Sequence, residues 1–122
     1  MMKRCAALAM LIVLAVAACS MAPAAGLRTA PGPAQACMDA LVTGTLVEHP
    51  QSGLGIDGDD GAPTPVEWPF GYTARNELGR LVLVDETGTV AARVGDEISV
   101  GGGFGNQFWH ACGGVFVITP AS

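Results

Sequence analysis

His110-Ala111-Cys112 places an imidazole and a thiol two positions apart, with His49 or a methionine as a conceivable third ligand. Copper sites use histidine, cysteine and methionine. The chain has only two histidines, however, and a disulfide at Cys112 would consume the thiolate. No metal site and no cofactor are therefore expected. A small envelope enzyme or metal-handling protein built on His49 and His110 stands as the alternative. Asp57-Gly58-Asp59-Asp60-Gly61 suggests calcium, but an EF-hand loop counted from Asp57 needs Gly at its sixth position and Glu at its twelfth. Those positions hold Ala62 and Trp68. The segment reads as a solvated acidic loop, with weak calcium binding outside the EF-hand pattern as the other reading. Gly101-Gly102-Gly103-Phe104-Gly105 resembles a phosphate loop, yet a dinucleotide fingerprint needs a helix after it and a last glycine. Asn106 to His110 carries no helical pattern, so the stretch reads as a glycine-rich barrel loop with positive φ. Ser20, Ser52, Ser99 and Ser122 lie outside any G-x-S-x-G setting, and no catalytic residue is assigned.

These groups need something to position them, and the N-terminus says where that happens. Met1-Met2-Lys3-Arg4 is cationic, and Ala6 to Ala18 is uncharged and apolar. This is the layout of a secretory signal over residues 1–18. The apolar run is shorter than the roughly 20 residues that a spanning helix needs. Val16-Ala17-Ala18-Cys19 resembles the bacterial lipobox, which implies a diacylglyceryl group on the Cys19 thiol and a new N-terminus there. An ordinary cut among the alanines between Ala15 and Ala25 competes with it. Cysteine use favours lipidation: with Cys5 removed and Cys19 acylated, Cys37 and Cys112 are left to pair. Pairing is expected in an exported protein.

Residues 19–36 then form an Ala- and Pro-rich tether, extended at roughly 3 Å per residue. Residues 37–120 form one small domain with a modest core. Loss of Lys3 and Arg4 takes the formal charge from −5 to −7 and leaves no lysine. A nucleic-acid binder must neutralise phosphates with Lys and Arg, so none is expected. Anionic lipid is not an electrostatic target either, and the lipid anchor itself would hold the protein on the cell or outer membrane. The remaining partner is an unknown envelope protein or ligand.

The domain is punctuated by Gly and Pro between short β-rich runs: Leu41–Val47, Val66–Trp68, Tyr72–Arg75, Leu81–Val84, Val90–Val94, Glu97–Val100 and Val115–Ile118. No window carries a helical stripe. Short strands with regular turns predict an all-β fold, a small closed or partly open barrel, OB-like, of five to six strands. Closure removes exposed edges.

Trp68, Phe70 and Tyr72 form one aromatic group, and Phe104, Phe108 and Trp109 another. Both lie in Gly- or Pro-containing segments. Either they plug the barrel ends, or they form an exposed surface for a partner or a sugar-like ligand. The second reading predicts that Trp68 and Trp109 are neighbours with at least one other ring exposed beside them.

Trp68-Pro69-Phe70-Gly71-Tyr72, Val90-Ala91-Ala92-Arg93-Val94-Gly95-Asp96-Glu97 and Gly101-Gly102-Gly103 together resemble a group of short, uncharacterised exported bacterial β-domains. The resemblance covers about residues 40–118. It implies a compact β-fold and export, and brings no catalytic residues with it.

Overall fold

The computed structural model describes residues 26–59 and 61–122. The signal segment, Cys19 and the first part of the tether lie outside the described residues, as does Asp60 of the acidic loop. Among the described residues there are eight strands and no helix: β1 (Ala40–His49), β2 (Gly53–Asp57), β3 (Thr64–Glu67), β4 (Thr73–Glu77), β5 (Arg80–Val84), β6 (Val90–Arg93), β7 (Glu97–Gly105) and β8 (Phe108–Thr119).

Five strands close into a barrel in the order β1-β2-β3-β8-β7, with β7 returning to β1. All contacts in the ring are antiparallel except β3 with β8, which run parallel through Val66↔Trp109 and Glu67↔His110. The all-β, OB-like barrel expected from the strand pattern is the architecture found. The strand count is larger than expected because β4, β5 and β6 are not barrel staves. They form a separate three-stranded antiparallel sheet inserted between β3 and β7. This sheet sends Leu83 and Ala92 into the same core as Leu46, Leu54, Ile56, Val66, Ile98 and Val100 of the barrel. One continuous core results, in which each fully buried aliphatic side chain contributes about 1.5–3 kcal/mol.

Local chemistry sets the turns. Glu77↔Arg80 leaves a two-residue loop in which Leu78 and Gly79 both have positive φ. Gly105↔Phe108 leaves another, with Asn106 and Gln107 at positive φ. Two-residue loops of this handedness match the right-handed twist of the strands they join. Asp96, which is buried, accepts from the Arg93 amide at 2.8 Å and the Ala121 amide at 2.7 Å. It thereby ties the chain's C-terminal end to the start of β7.

Two boundaries differ from the sequence reading. Leu27–Ala30, read as tether, adds to the barrel beyond the end of β3. The Arg28 amide donates to Ser52 O, the Ala30 amide donates to Trp68 O, and Arg28 O accepts from the Trp68 amide. The domain therefore begins before Cys37, because unpaired backbone at Ser52 and Trp68 finds its partners in this segment. The triple glycine, read as a loop, lies inside β7. The β7–β8 register shifts between Val100 and Gly102, and Gly102 has φ of +154° beside the His110 carbonyl. A side chain there would collide with that carbonyl. The glycines form a bulge, which bends the strand locally, and not a hairpin tip.

Candidate functional site

The two segments with aromatic groups leave the barrel at adjacent strands. Trp68 directly follows β3, Trp109 lies on β8, and both point into the core, fully buried and 8% exposed respectively. As members of a binding surface they are corrected: they are core. Trp68 Nε1 donates to Leu54 O at 2.9 Å. Among the described residues the buried Nε1 of Trp109 has no partner. The remaining four rings divide. Phe70 and Phe104 are exposed, while Tyr72 and Phe108 are half-buried. Phe70 and Tyr72 line an open cleft of about 960 Å³. Phe104 and Phe108 are outside its lining, so the six rings are not one patch.

The cleft lies between the Pro69–Tyr72 turn, the middle of β8 and the chain from Ala30 to Met38. A disulfide between Cys37 and Cys112 joins the last two walls, with Cα atoms 5.5 Å apart and 75 positions between them in sequence. This covalent tie fixes a segment that carries no strand of its own.

One flank of the cleft holds a charged chain of contacts. His110 Nδ1 stands 3.1 Å from Glu67 Oε1, and His110 Nε2 stands 2.7 Å from Gly105 O. A carbonyl only accepts, so the Nε2 that faces Gly105 O donates, while Nδ1 lies within hydrogen-bond reach of the Glu67 carboxylate. The other Glu67 oxygen lies 3.6 Å from the Arg28 guanidinium. Arg28 in turn stacks over Phe108, 3.9 Å from the ring centroid, a cation–π arrangement. Glu67 is thus engaged on both oxygens. The parallel register that sets Glu67 opposite His110 builds this flank.

The opposite flank is the β5–β6 turn. Asp85 accepts from the Thr87 hydroxyl at 2.6 Å and from the amides of Thr87 and Thr89. The Thr87 hydroxyl first, and these amides with it, hold the Asp85 carboxyl below the usual carboxylate range. Glu86, next in sequence, is exposed, lines the cleft and has no ion pair among the described residues. Burial, reinforced by the negative charges of Glu86 and Asp85, pushes the Tyr72 phenol above its ordinary value.

The lining offers two carboxylates, an imidazole and a phenol, and its one cysteine sulfur is in the disulfide. His49 is elsewhere. It lines a second hollow of about 440 Å³ with Glu48, and its Nδ1 accepts from the Gln51 amide at 3.1 Å. The two histidines do not converge. Among the described residues no three His, Cys, Asp or Glu side chains gather as a metal site would require.

Sequence reasoning missed Arg28, Glu67 and Glu86. Arg28 sat in the presumed tether, and the other two are ordinary acids until a parallel strand pairing and a turn bring them to one cleft. Compared with protein-family models, curated proteins and solved structures, the chain matches none of them.

Proposed function

We propose that this protein is an envelope binding module, lipid-anchored through Cys19, whose barrel presents the Phe70–Tyr72 cleft to a small ligand or a short segment of a partner. The observation that carries the binding part is the cleft itself. It combines exposed and half-buried aromatic rings with a few polar groups, in a volume at the upper end of the 300–1,000 Å³ usual for ligand sites. Its walls are tied by a disulfide, and its histidine is held at both nitrogens. Such a surface loses little side-chain entropy when a ligand docks. The anchoring part rests on the N-terminal pattern alone. A site built on both histidines is not proposed, since they line separate hollows.

The chain has a single tyrosine, Tyr72, and it lies in the cleft. With 3-fluorotyrosine incorporated, one fluorine resonance reports occupancy. Titrating neutral, cationic and anionic aromatic fragments is expected to move that resonance saturably for at least one class. No movement with any class contradicts the binding reading. Location is tested separately. Wild-type protein is expected in the membrane fraction, with Cys19→Ala soluble or left as uncut precursor. Soluble wild-type protein whose N-terminus is not Cys19 overturns the anchor.

A further inference from the structure

Resting on the reading of the cleft as a binding site, we infer that its ligand class is an organic cation: an ammonium or guanidinium group carried on an apolar or aromatic body.

The argument starts from charge. Apart from Lys3 and Arg4 near the N-terminus, the chain's cations are Arg28, Arg75, Arg80 and Arg93. Arg28 lies on Glu67, and Arg75 and Arg93 both lie on Glu77. None of these pairs involves Glu86. Glu67, the other acid in the cleft, already has Arg28 on one oxygen and His110 on the other. So of the two carboxylates that line the site, one is satisfied by the protein and one is left for solvent or ligand.

Geometry sets the Glu86 side chain against the turn that carries the rings. Gly71, at φ of +86°, separates Phe70 from Tyr72, and a Cβ built on it would lie 3.0 Å from the Glu86 Cβ. The glycine lets the Phe70–Tyr72 turn press directly on Glu86. Ring faces attract cations through their quadrupole, and a carboxylate next to them adds a charge partner. The Tyr72 phenol is raised first by burial and then by the charges of Glu86 and Asp85, so both carboxylates act on its hydroxyl. An anionic ligand would face repulsion from Glu86 and Asp85. A neutral ligand could cover the rings but would leave Glu86 without a partner. The apolar wall formed by Ala34, Ala36, Met38 and Pro69 suits the uncharged body of an amphipathic cation.

The test uses three probes that share a benzyl body: benzyltrimethylammonium, benzyl alcohol and phenylacetate. Each is titrated at neutral pH and low salt against the described domain within the full exported chain, with the fluorine resonance at Tyr72 as readout. The cation is expected to bind about fivefold or more tightly than the alcohol, an effect of the size of one exposed charge pair plus a ring contact. Phenylacetate is expected to bind most weakly, and the preference should shrink as salt rises. Glu86→Gln, a change at an exposed position, should remove most of the cation's advantage over the alcohol and leave only the part that the ring contact supplies. Equal binding of both to the wild type, or tighter binding of phenylacetate, overturns the cation inference while the cleft remains a binding site. No response to any of the three overturns the cleft reading and the inference together.

Discussion

Trp68–Tyr72 and Phe104–Trp109 each combine one tryptophan with two further rings; the first follows barrel strand β3, and the second spans the β7–β8 connection. In both, the tryptophan is core and a phenylalanine is left in solvent. They differ in what surrounds the rings. Trp68 hands its indole hydrogen to Leu54 O, and the turn after it presents Phe70 and Tyr72 to a cleft with Glu86 alongside. Trp109 lies against Gly102, where no side chain competes for space, with its Nε1 unpartnered. Phe104, its cross-strand neighbour, is exposed outside the cleft, and Phe108 is covered by Arg28. Aromatic composition marks both segments equally; only one of them meets polar groups brought by other strands in a cleft.

The largest expected difference between the segments is in their tryptophans. Trp68→Ala should cost about 3–5 kcal/mol, the range for large aromatic truncations in a core. The sharper comparison is Trp68→Phe against Trp109→Phe. The first removes one of the two side-chain donors to the buried Leu54 carbonyl, which keeps the Ser52 hydroxyl at 2.7 Å, whereas the second removes a buried N–H that has no partner among the described residues. Denaturant unfolding should show Trp68→Phe the more destabilising by about 1 kcal/mol or more. Equal costs would mean that the indole bond to Leu54 contributes nothing.

Next in size is the disulfide that joins Cys37 to β8 three positions beyond Trp109. Closing a loop of 75 residues removes unfolded-chain entropy worth about 4 kcal/mol in the simple chain model. The double variant Cys37→Ala/Cys112→Ala should lose stability of that order, and its hydrogen exchange should rise first at the amides of Arg28, Ala30 and Trp68, whose bonds hold the segment that leads to Cys37. Uniform exchange across the barrel would contradict a local role for the tie.

These effects also show how far the chain could be read without coordinates. The strands with alternating or continuous apolar runs, such as Leu81–Val84, were legible because both patterns are local signals. β2 was not. Its Gly53-Leu54-Gly55-Ile56-Asp57 run has glycine where a strand pattern would show branched residues, and it becomes a strand because Gly55 lets β3 approach closely. The Cys37–Cys112 pair followed from cysteine counting on the expectation of export. The Glu67–His110 contact did not, because a parallel pairing between residues 43 positions apart leaves no local mark. Leu27–Ala30 looked like linker by composition, and its order comes from backbone groups on Ser52 and Trp68 that only the folded barrel offers.

A smaller effect concerns the acidic turn beside the cleft. Asp85 has its carboxyl held below the usual range in the folded protein, so between the folded and unfolded values the unfolded chain binds more protons. Its contribution is therefore present above an ordinary carboxylate value of about 4 and is lost as pH falls through the folded one. The melting temperature of wild type should drop more steeply across that window than that of Asp85→Asn. Parallel pH profiles would show that the turn's hydrogen bonds do not distinguish the ionised form.

We place the binding site at the Phe70 segment and not at the Phe104 segment, although both expose a phenylalanine. Phe70→Ser and Phe104→Ser remove exposed rings, and each should change stability by no more than about 0.5 kcal/mol. Titrating both variants with benzyltrimethylammonium, read at the single tyrosine and at the backbone amides of Gly71 and His110, separates them directly. The account predicts that Phe70→Ser loses most of the affinity and Phe104→Ser keeps it. Equal loss in both variants, or loss in Phe104→Ser alone, would contradict it.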